Sequence, residues 1–219
     1  MNAYRCGLSL IVLFVLLLAT ACGANAPTLT PVPPTATENP LPLTYTSVNG
    51  ALSVNYPRGW VVDEQGAYIG IANNDPAMRA MAAQRSLEAG QVGLLMTAFS
   101  ADTAAAIAAQ NGLSVDAPTA ADLVGIVASR LTTVTPSAVT EINVNGKNAA
   151  YVTLLLPSGD SIAIVVEVGN GSLVLLQAAT APNELAQFQE TFLAIAGTVN
   201  FTPPSSAVAE ETGAAPIPP

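Results

Sequence analysis

The 219-residue chain contains no histidine. That absence rules out Ser-His-Asp and Cys-His nucleophile systems. It also removes zinc sites built from imidazole and thiolate, leaving only oxygen ligands for a hard cation. Proton transfer near neutral pH would fall to a carboxylate, a tyrosine or the single lysine, Lys147, each with a strongly shifted pKa. Cysteine is scarce too, with only Cys6 and Cys22. Basic residues number 6 against 15 acidic ones, a formal net charge of −9. Phosphate backbones attract basic patches, so the composition argues against nucleic acid as a partner and against polybasic attraction to anionic lipid. A long hydrophobic run is missing as well. Residues 7–21 give 15 uncharged positions, fewer than the roughly 20 a helix needs to cross the hydrocarbon core.

That short run still carries a message. Arg5 and the free amine make a weakly positive start, residues 8–18 are apolar apart from Ser9, and small residues lead into Cys22. This is the layout of a signal peptide over residues 1–21. The segment Leu16-Leu17-Leu18-Ala19-Thr20-Ala21-Cys22-Gly23 resembles the lipobox of bacterial lipoproteins. The resemblance implies that Cys22 carries a diacylglycerol thioether and becomes the first residue of the mature chain. Two acyl chains suffice for stable anchoring where one is marginal. The expected address is the cell membrane, lipid-anchored on its extracytoplasmic face. Leucine usually stands three residues before such a cysteine, and here Ala19 does. Ala19-Thr20-Ala21 also fits the A-x-A site of the ordinary signal peptidase, so release as a soluble protein with a bare Cys22 is the alternative. Loss of residues 1–21 removes Arg5 and Cys6, leaving 5 basic and 15 acidic residues and one cysteine. No internal disulfide is then possible, and the fold rests on its core.

Of 17 prolines, 11 lie in two flanks. The first flank makes residues 22–43 a lipidated cysteine followed by a Pro/Thr-rich, extended spacer, able to lift the domain by about 50 Å. The second makes residues 203–219 a disordered acidic tail. Between them, residues 44–202 are long enough to bury a core. Alternation predicts strands over 52–56, 60–62 and 67–72. Asp75-Pro76 predicts a helix N-terminus, with the helix running through Met78 and Met81 as far as Gly90. A buried strand is expected over 92–99, and a loop with a short helix over 101–117. Thr119 to Asp122 approximates a capping box ahead of a helix bearing Leu123, Ile126, Val127 and Leu131. Asn145-Gly146 and Asn170-Gly171 predict two hairpins, joining 139–144 to 149–156 and 162–168 to 173–180. A last helix carries Leu185, Phe188, Phe192 and Ile195, with Gly197 as its stop and a short edge strand after it. The class is α+β: a mostly antiparallel sheet with helices packed on its faces.

The phrase Leu52-Ser53-Val54-Asn55-Tyr56-Pro57-Arg58-Gly59-Trp60 and the ending Ala178-Ala179-Thr180-Ala181-Pro182 before an aromatic-bearing helix resemble the PsbP-like fold. That fold is shared by the extrinsic photosystem II subunit and many bacterial surface lipoproteins. The resemblance implies an α/β/α sandwich serving as a binding or assembly accessory at membrane surfaces, with no catalytic motif. Its metal assistance has no matching ligand set here. The physical reading of the opening phrase is a turn: Pro57 sets φ, Gly59 permits a positive φ, and Trp60 returns to bury its ring.

The remaining clusters have plain explanations. Asn73-Asn74-Asp75 reads as a helix cap before it reads as a calcium site, because the spaced acidic pattern is missing. Asp63 and Glu64, adjacent in a strand, point to opposite faces and read as solvated turn charges; Asp160 and Glu167, seven apart, also diverge. Gly169-Asn170-Gly171 lacks the G-x-G-x-x-G pattern, and Gly146-Lys147 lacks the upstream glycine of a phosphate loop, where Glu141 stands. Met78 and Met81 read as core packing, with a partner groove as the second possibility. No catalytic residue, cofactor or metal ligand is expected. The function expected is a non-enzymatic lipoprotein whose partners are the membrane, through its anchor, and an extracytoplasmic protein of unknown identity. A small-molecule or ion-binding module and a carboxylate-only hydrolase are the alternatives.

Overall fold

The structure, a computed structural model, describes residues 39–130 and 135–203. The expected signal peptide, Cys22, the expected spacer up to residue 38 and the expected tail from residue 204 lie outside the described residues, as does Leu131 of the helix expected after Thr119. Strands β1 Leu43–Thr46, β2 Leu52–Tyr56, β3 Val61–Gln65 and β4 Tyr68–Ala72 come first. Helix α1 Asp75–Ala82, strand β5 Val92–Phe99, and helices α2 Ala101–Gln110 and α3 Ala120–Ser129 follow. Strands β6 Thr140–Val144, β7 Lys147–Leu154, β8 Asp160–Glu167 and β9 Leu173–Thr180 make a meander, and helix α4 Leu185–Thr198 and strand β10 Asn200–Phe201 end it. The class is α+β, as the patterning predicts.

The single sheet expected is in fact two. One has the order β1-β2-β10, the other β3-β4-β5-β9-β8-β7-β6, and neighbours in both are antiparallel. The topology of the larger sheet follows from its connections. Short turns join β3 to β4 and β6 through β9 into neighbours, whereas the chain leaving β5 crosses to the far edge before returning. That crossing lays α2 and α3 on one face. On the opposite face, Ile69, Ile71, Leu94, Met96, Ile164 and Leu176 meet Phe192 and Ile195 of α4 and Val54 of β2. Strand alternation puts the next residues of each strand toward α1, α2 and α3. There Val152 and Val165 meet Leu123 and Val124 of α3, while Ala72 meets Ala77 and Ala80 of α1. The result is helices on one side, a seven-stranded sheet, then α4 beside the small sheet.

Three helix expectations change. Helix α1 stops at Ala82 instead of reaching Gly90. Gln84 takes φ +51, and the Arg85 and Gln84 amides donate to the carbonyls of Ala80 and Met81 at 2.9 Å each. That is a Schellman ending with glutamine where glycine is usual. The segment 101–110 is a full helix. Ser100 caps its start, Ala104 and Ala108 are buried, and Gly112 in the left-handed region closes it. Gly197 does not stop α4, which continues through Thr198. A side chain there would meet the Asn145 Cβ at 3.1 Å, so glycine admits the β6–β7 turn against the helix. The carbonyls at this end are instead taken up by Lys147. Its Nζ donates to Gly197 at 3.2 Å and Val199 at 2.5 Å, placing a cation at the negative end of the helix. Burial pushes the Lys147 ammonium below its ordinary range.

Gln84→Gly should raise stability by about 0.5–1 kcal/mol, since a left-handed non-glycine residue costs roughly 1–2 kcal/mol and glycine entropy returns only part of it. The urea midpoint should rise at constant slope. A lower midpoint would contradict the assigned α1 ending.

Candidate functional site

A sheet row seen from the helix side explains an opening in that layer between α1 and α3. Pairing aligns Gly70 with Leu95, Leu95 with Gln177, and Gln177 with Ala163 across β4, β5, β9 and β8. The next row on the same face runs Ala72, Gly93, Ala179, Ser161. Most of these residues are small, and small floors let helices settle close. A Cβ at Gly70 would stand 3.1 Å from the Met78 sulfur, and one at Gly93 only 1.9 Å from that of Met81. Both methionines of α1 therefore rest on glycine. Helix α3 settles in the same way on Ala150 and Ala163 further along the sheet.

Between α1 and α3, among the described residues, nothing of the layer covers the stretch of β5 and β9 around Leu95 and Gln177. Leu95 is 39% exposed although it sits on an interior strand, and Gln177 beside it is exposed. The gap is a cleft of about 460 Å³, walled by Met81, Leu87, Val127, Leu154 and Leu156. Arg85 stands on its α1 side, and Asp160, its side chain buried toward the α4 face, borders it at the start of β8. A second recess of about 270 Å³ shares Met81, Gln84 and Leu95 with it, and adds Met78 and Tyr68, which is 56% exposed. Together they form one apolar trough with a polar stripe from Gln177, Ser161 and Gln84.

The sequence-level candidates are distributed as follows. Asn74 is the N-cap of α1, one residue before the expected Asp75, and its side-chain oxygen accepts from the Ala77 amide at 2.8 Å. Asn73 is tied to Gly90 and Val92. Asp160 and Glu167 do face opposite ways. Asp160 shares the α4 face with Ile162, while Glu167 accepts from the Ala120 amide at the start of α3 at 3.1 Å. Tyr56 and Trp60 pack on the core around a turn in which Gly59 has φ +82. Met78 and Met81 pack on the sheet, the role expected first, and they also line the trough. Among the described residues no three acidic, cysteine or histidine side chains gather where a metal would need them. No helix of the described residues is long and apolar enough to cross a membrane. Cys22 lies outside the described residues.

One expectation fails. Asp63 and Glu64 do point apart, but Glu64 is no solvated turn charge. Its carboxylate accepts the Tyr45 phenol proton and the Val48 amide, at 3.0 Å for the latter, joining the small sheet to β3 of the large one. The hydrogen bond to Glu64, burial and the nearby charges of Glu64 and Asp63 push the Tyr45 phenol up to about 12. Sequence reasoning missed this pair because its members lie 19 residues apart in different sheets.

The fold and trough define an α+β domain with an open apolar cleft in its helical layer. No family model matches the chain, and no curated protein sequence matches it. Among solved structures the chain is similar to the cyanobacterial PsbP protein CyanoP from Synechocystis, at 13% identity over 78% of this chain and 98% of that one, with a TM-score of 0.43. It is also similar to LpqN, involved in cell envelope biogenesis of Mycobacterium tuberculosis, at 11% identity, 74% and 90% coverage and a TM-score of 0.43. A third is the Ran-binding protein Mog1p of Saccharomyces cerevisiae, at 10% identity, 71% and 85% coverage and 0.41.

Because the folded phenol binds its proton more tightly than the unfolded one, the Tyr45–Glu64 contribution is complete below pH about 10 and fades as pH rises toward about 12. Ultraviolet titration should therefore show one late phenol, absent in Tyr45→Phe, and wild type should lose its stability advantage over that variant across this window. A wild-type profile with every phenol near the ordinary value would contradict the assignment.

Proposed function

We propose that this chain is a lipoprotein held at the extracytoplasmic face of the membrane through Cys22, and that its domain acts without catalysis as a binding or assembly accessory. Its cleft receives an apolar segment of a neighbouring protein. The carrying observation is the exposure of Leu95 and Gln177 on interior strands, where a closed helical layer would bury both. Contiguous apolar surface of this kind marks interaction sites on proteins that otherwise keep such surface covered. Two methionines at the wall suit a segment of variable shape, since their unbranched side chains repack readily. The non-catalytic reading is supported by the chemistry of the lining: Asp63 and Tyr68 border the smaller recess, Asp160 turns its side chain toward the α4 face, and no histidine or lysine lines either recess to complete an acid/base set. The anchor is supported by the sequence of residues 1–22.

A second reading keeps the same cleft and changes the occupant. A volume of about 460 Å³ is in the range of small-molecule sites, roughly 300–1,000 Å³.

Two measurements separate these statements. Labelled palmitate should enter the protein and be lost in Cys22→Ala; equal incorporation in the variant removes the anchor at that residue. In affinity capture from detergent-solubilised membranes, a discrete partner should bind wild type and Val139→Asp, and fall at least about tenfold with Leu95→Asp, as for a central interface residue. Retention by Leu95→Asp removes the cleft as the docking surface. A thermal shift with a small ligand in place of any captured protein selects the second reading.

A further inference from the structure

The chain carries four Asn-Gly dipeptides, at 49–50, 111–112, 145–146 and 170–171. Asparagine before glycine is chemically labile, because the unhindered following amide nitrogen can attack the side-chain carbonyl. Sequence alone makes the four equivalent. Their surroundings do not.

At three of them both reacting groups are engaged. The Asn49 side-chain oxygen accepts from the Ser47 hydroxyl at 2.7 Å and the Ala51 amide at 3.0 Å, while the Gly50 amide donates to Ser47 at 2.8 Å. Asn111 donates from Nδ2 to Ile107 at 2.7 Å and accepts from the Arg130 guanidinium at 3.1 Å, and the Gly112 amide closes α2 on Ala109 at 3.0 Å. Asn145 donates to Gly197 at 3.2 Å, and the Gly146 amide is held by the Asn143 side chain at 2.9 Å. At the fourth, Asn170 and Gly171 are exposed, and among the described residues neither the Asn170 amide group nor the Gly171 N–H has a hydrogen-bond partner. Their turn is closed one residue later, by the Ser172 amide on Gly169 at 2.9 Å, so the hairpin persists without restraining the reacting atoms.

We propose that Asn170 is the site at which this protein deamidates spontaneously, converting to aspartate and isoaspartate ahead of the other three. The Gly171 nitrogen attacks the Asn170 side-chain carbonyl carbon and forms the N–Cγ bond. Its proton passes to solvent base, and the side-chain nitrogen takes up a proton and leaves as ammonia. Water then opens the five-membered imide at either carbonyl. Opening at one side gives aspartate, and at the other gives isoaspartate with the main chain rerouted through Cβ. One ammonia leaves and one water enters, with no redox step.

The consequence is local and electrostatic. Either product adds a negative charge to an already acidic chain. Isoaspartate also lengthens the main chain in a turn where Asn170 and Gly171 hold φ +51 and +68. That turn abuts the start of α2, since a Cβ at Gly171 would stand 3.0 Å from the Ala101 Cβ. Conversion should loosen the β8–β9 hairpin end and its contact with α2, at the end of the sheet away from the cleft.

Peptide mass mapping of the full-length protein, incubated in native buffer at mildly alkaline pH, tests this directly. The peptide holding Asn170 should gain the mass of an amide turned acid several-fold faster than the other three, and an isoaspartyl methyltransferase assay should label that peptide first. The same incubation in urea should bring the four rates together. Asn170→Gln should abolish most of the native-state ammonia release. Conversion in native buffer led or matched by positions 49, 111 or 145 overturns the proposal, as does the absence of conversion at 170 when the urea sample converts.

Discussion

Width is the constraint on which the rest of this molecule depends. Seven antiparallel strands at about 4.8 Å spacing span roughly 29 Å, and a helix with its side chains covers only about 10–12 Å. One face of the sheet is closed by two different objects side by side, α4 and the small sheet, with Phe192 and Ile195 over the central strands. On the other face α1 sits over β3 to β5 and α3 over β7 and β8. The crossover that delivers α2 and α3 leaves β5 and comes back at the opposite edge. On that route α2 packs over the Phe99 and Leu175 end of β5 and β9, and among the described residues no helix lies over Leu95 and Gln177, which stay open. The cleft is thus the remainder of a covering problem, and its floor of glycine, alanine and serine is what lets the flanking helices sit low enough to give it walls.

With no cysteine among the described residues, the layers are tied by polar contacts between segments distant in sequence. Tyr45 and Val48 meet Glu64 where the small sheet leans on β3. Lys147 reaches the carbonyl end of α4, and Glu184 accepts the Gly90 amide at 2.9 Å, tying the start of α4 to the loop after α1. Each joins an orphan group of one element to a charged or amphipathic side chain of another, which satisfies the polar atom and fixes the relative position of two layers together.

Legibility in the sequence varied with the range of the deciding interaction. The hairpins at Asn145-Gly146 and Asn170-Gly171 were readable because positive φ is a property of those two residues themselves. The α3 capping box was readable for the same reason, with Thr119 and Asp122 bonded reciprocally. Residues 101–110 were not, because alanine on every side leaves little apolar periodicity to detect, although it suits a helix well. Gly197 was misread because a helix-stopping glycine and a close-packing glycine look alike in sequence. What distinguishes them is the approach of Asn145, 52 residues earlier. Glu64 was misread for want of its partner in another sheet.

The amino-acid order by itself determined the α+β class, the hairpins, the two Pro-rich flanks, the absence of histidine chemistry and the expectation of a lipid at Cys22, since all of these rest on composition or on groups within a few bonds of one another. Only the tertiary structure decided that the strands form two sheets, that Leu95 on an apolar strand faces an opening, and that Asn170 alone among four like dipeptides has both reacting groups unengaged. Those outcomes depend on where separate segments come to rest, and exposure is a property of the space left between them.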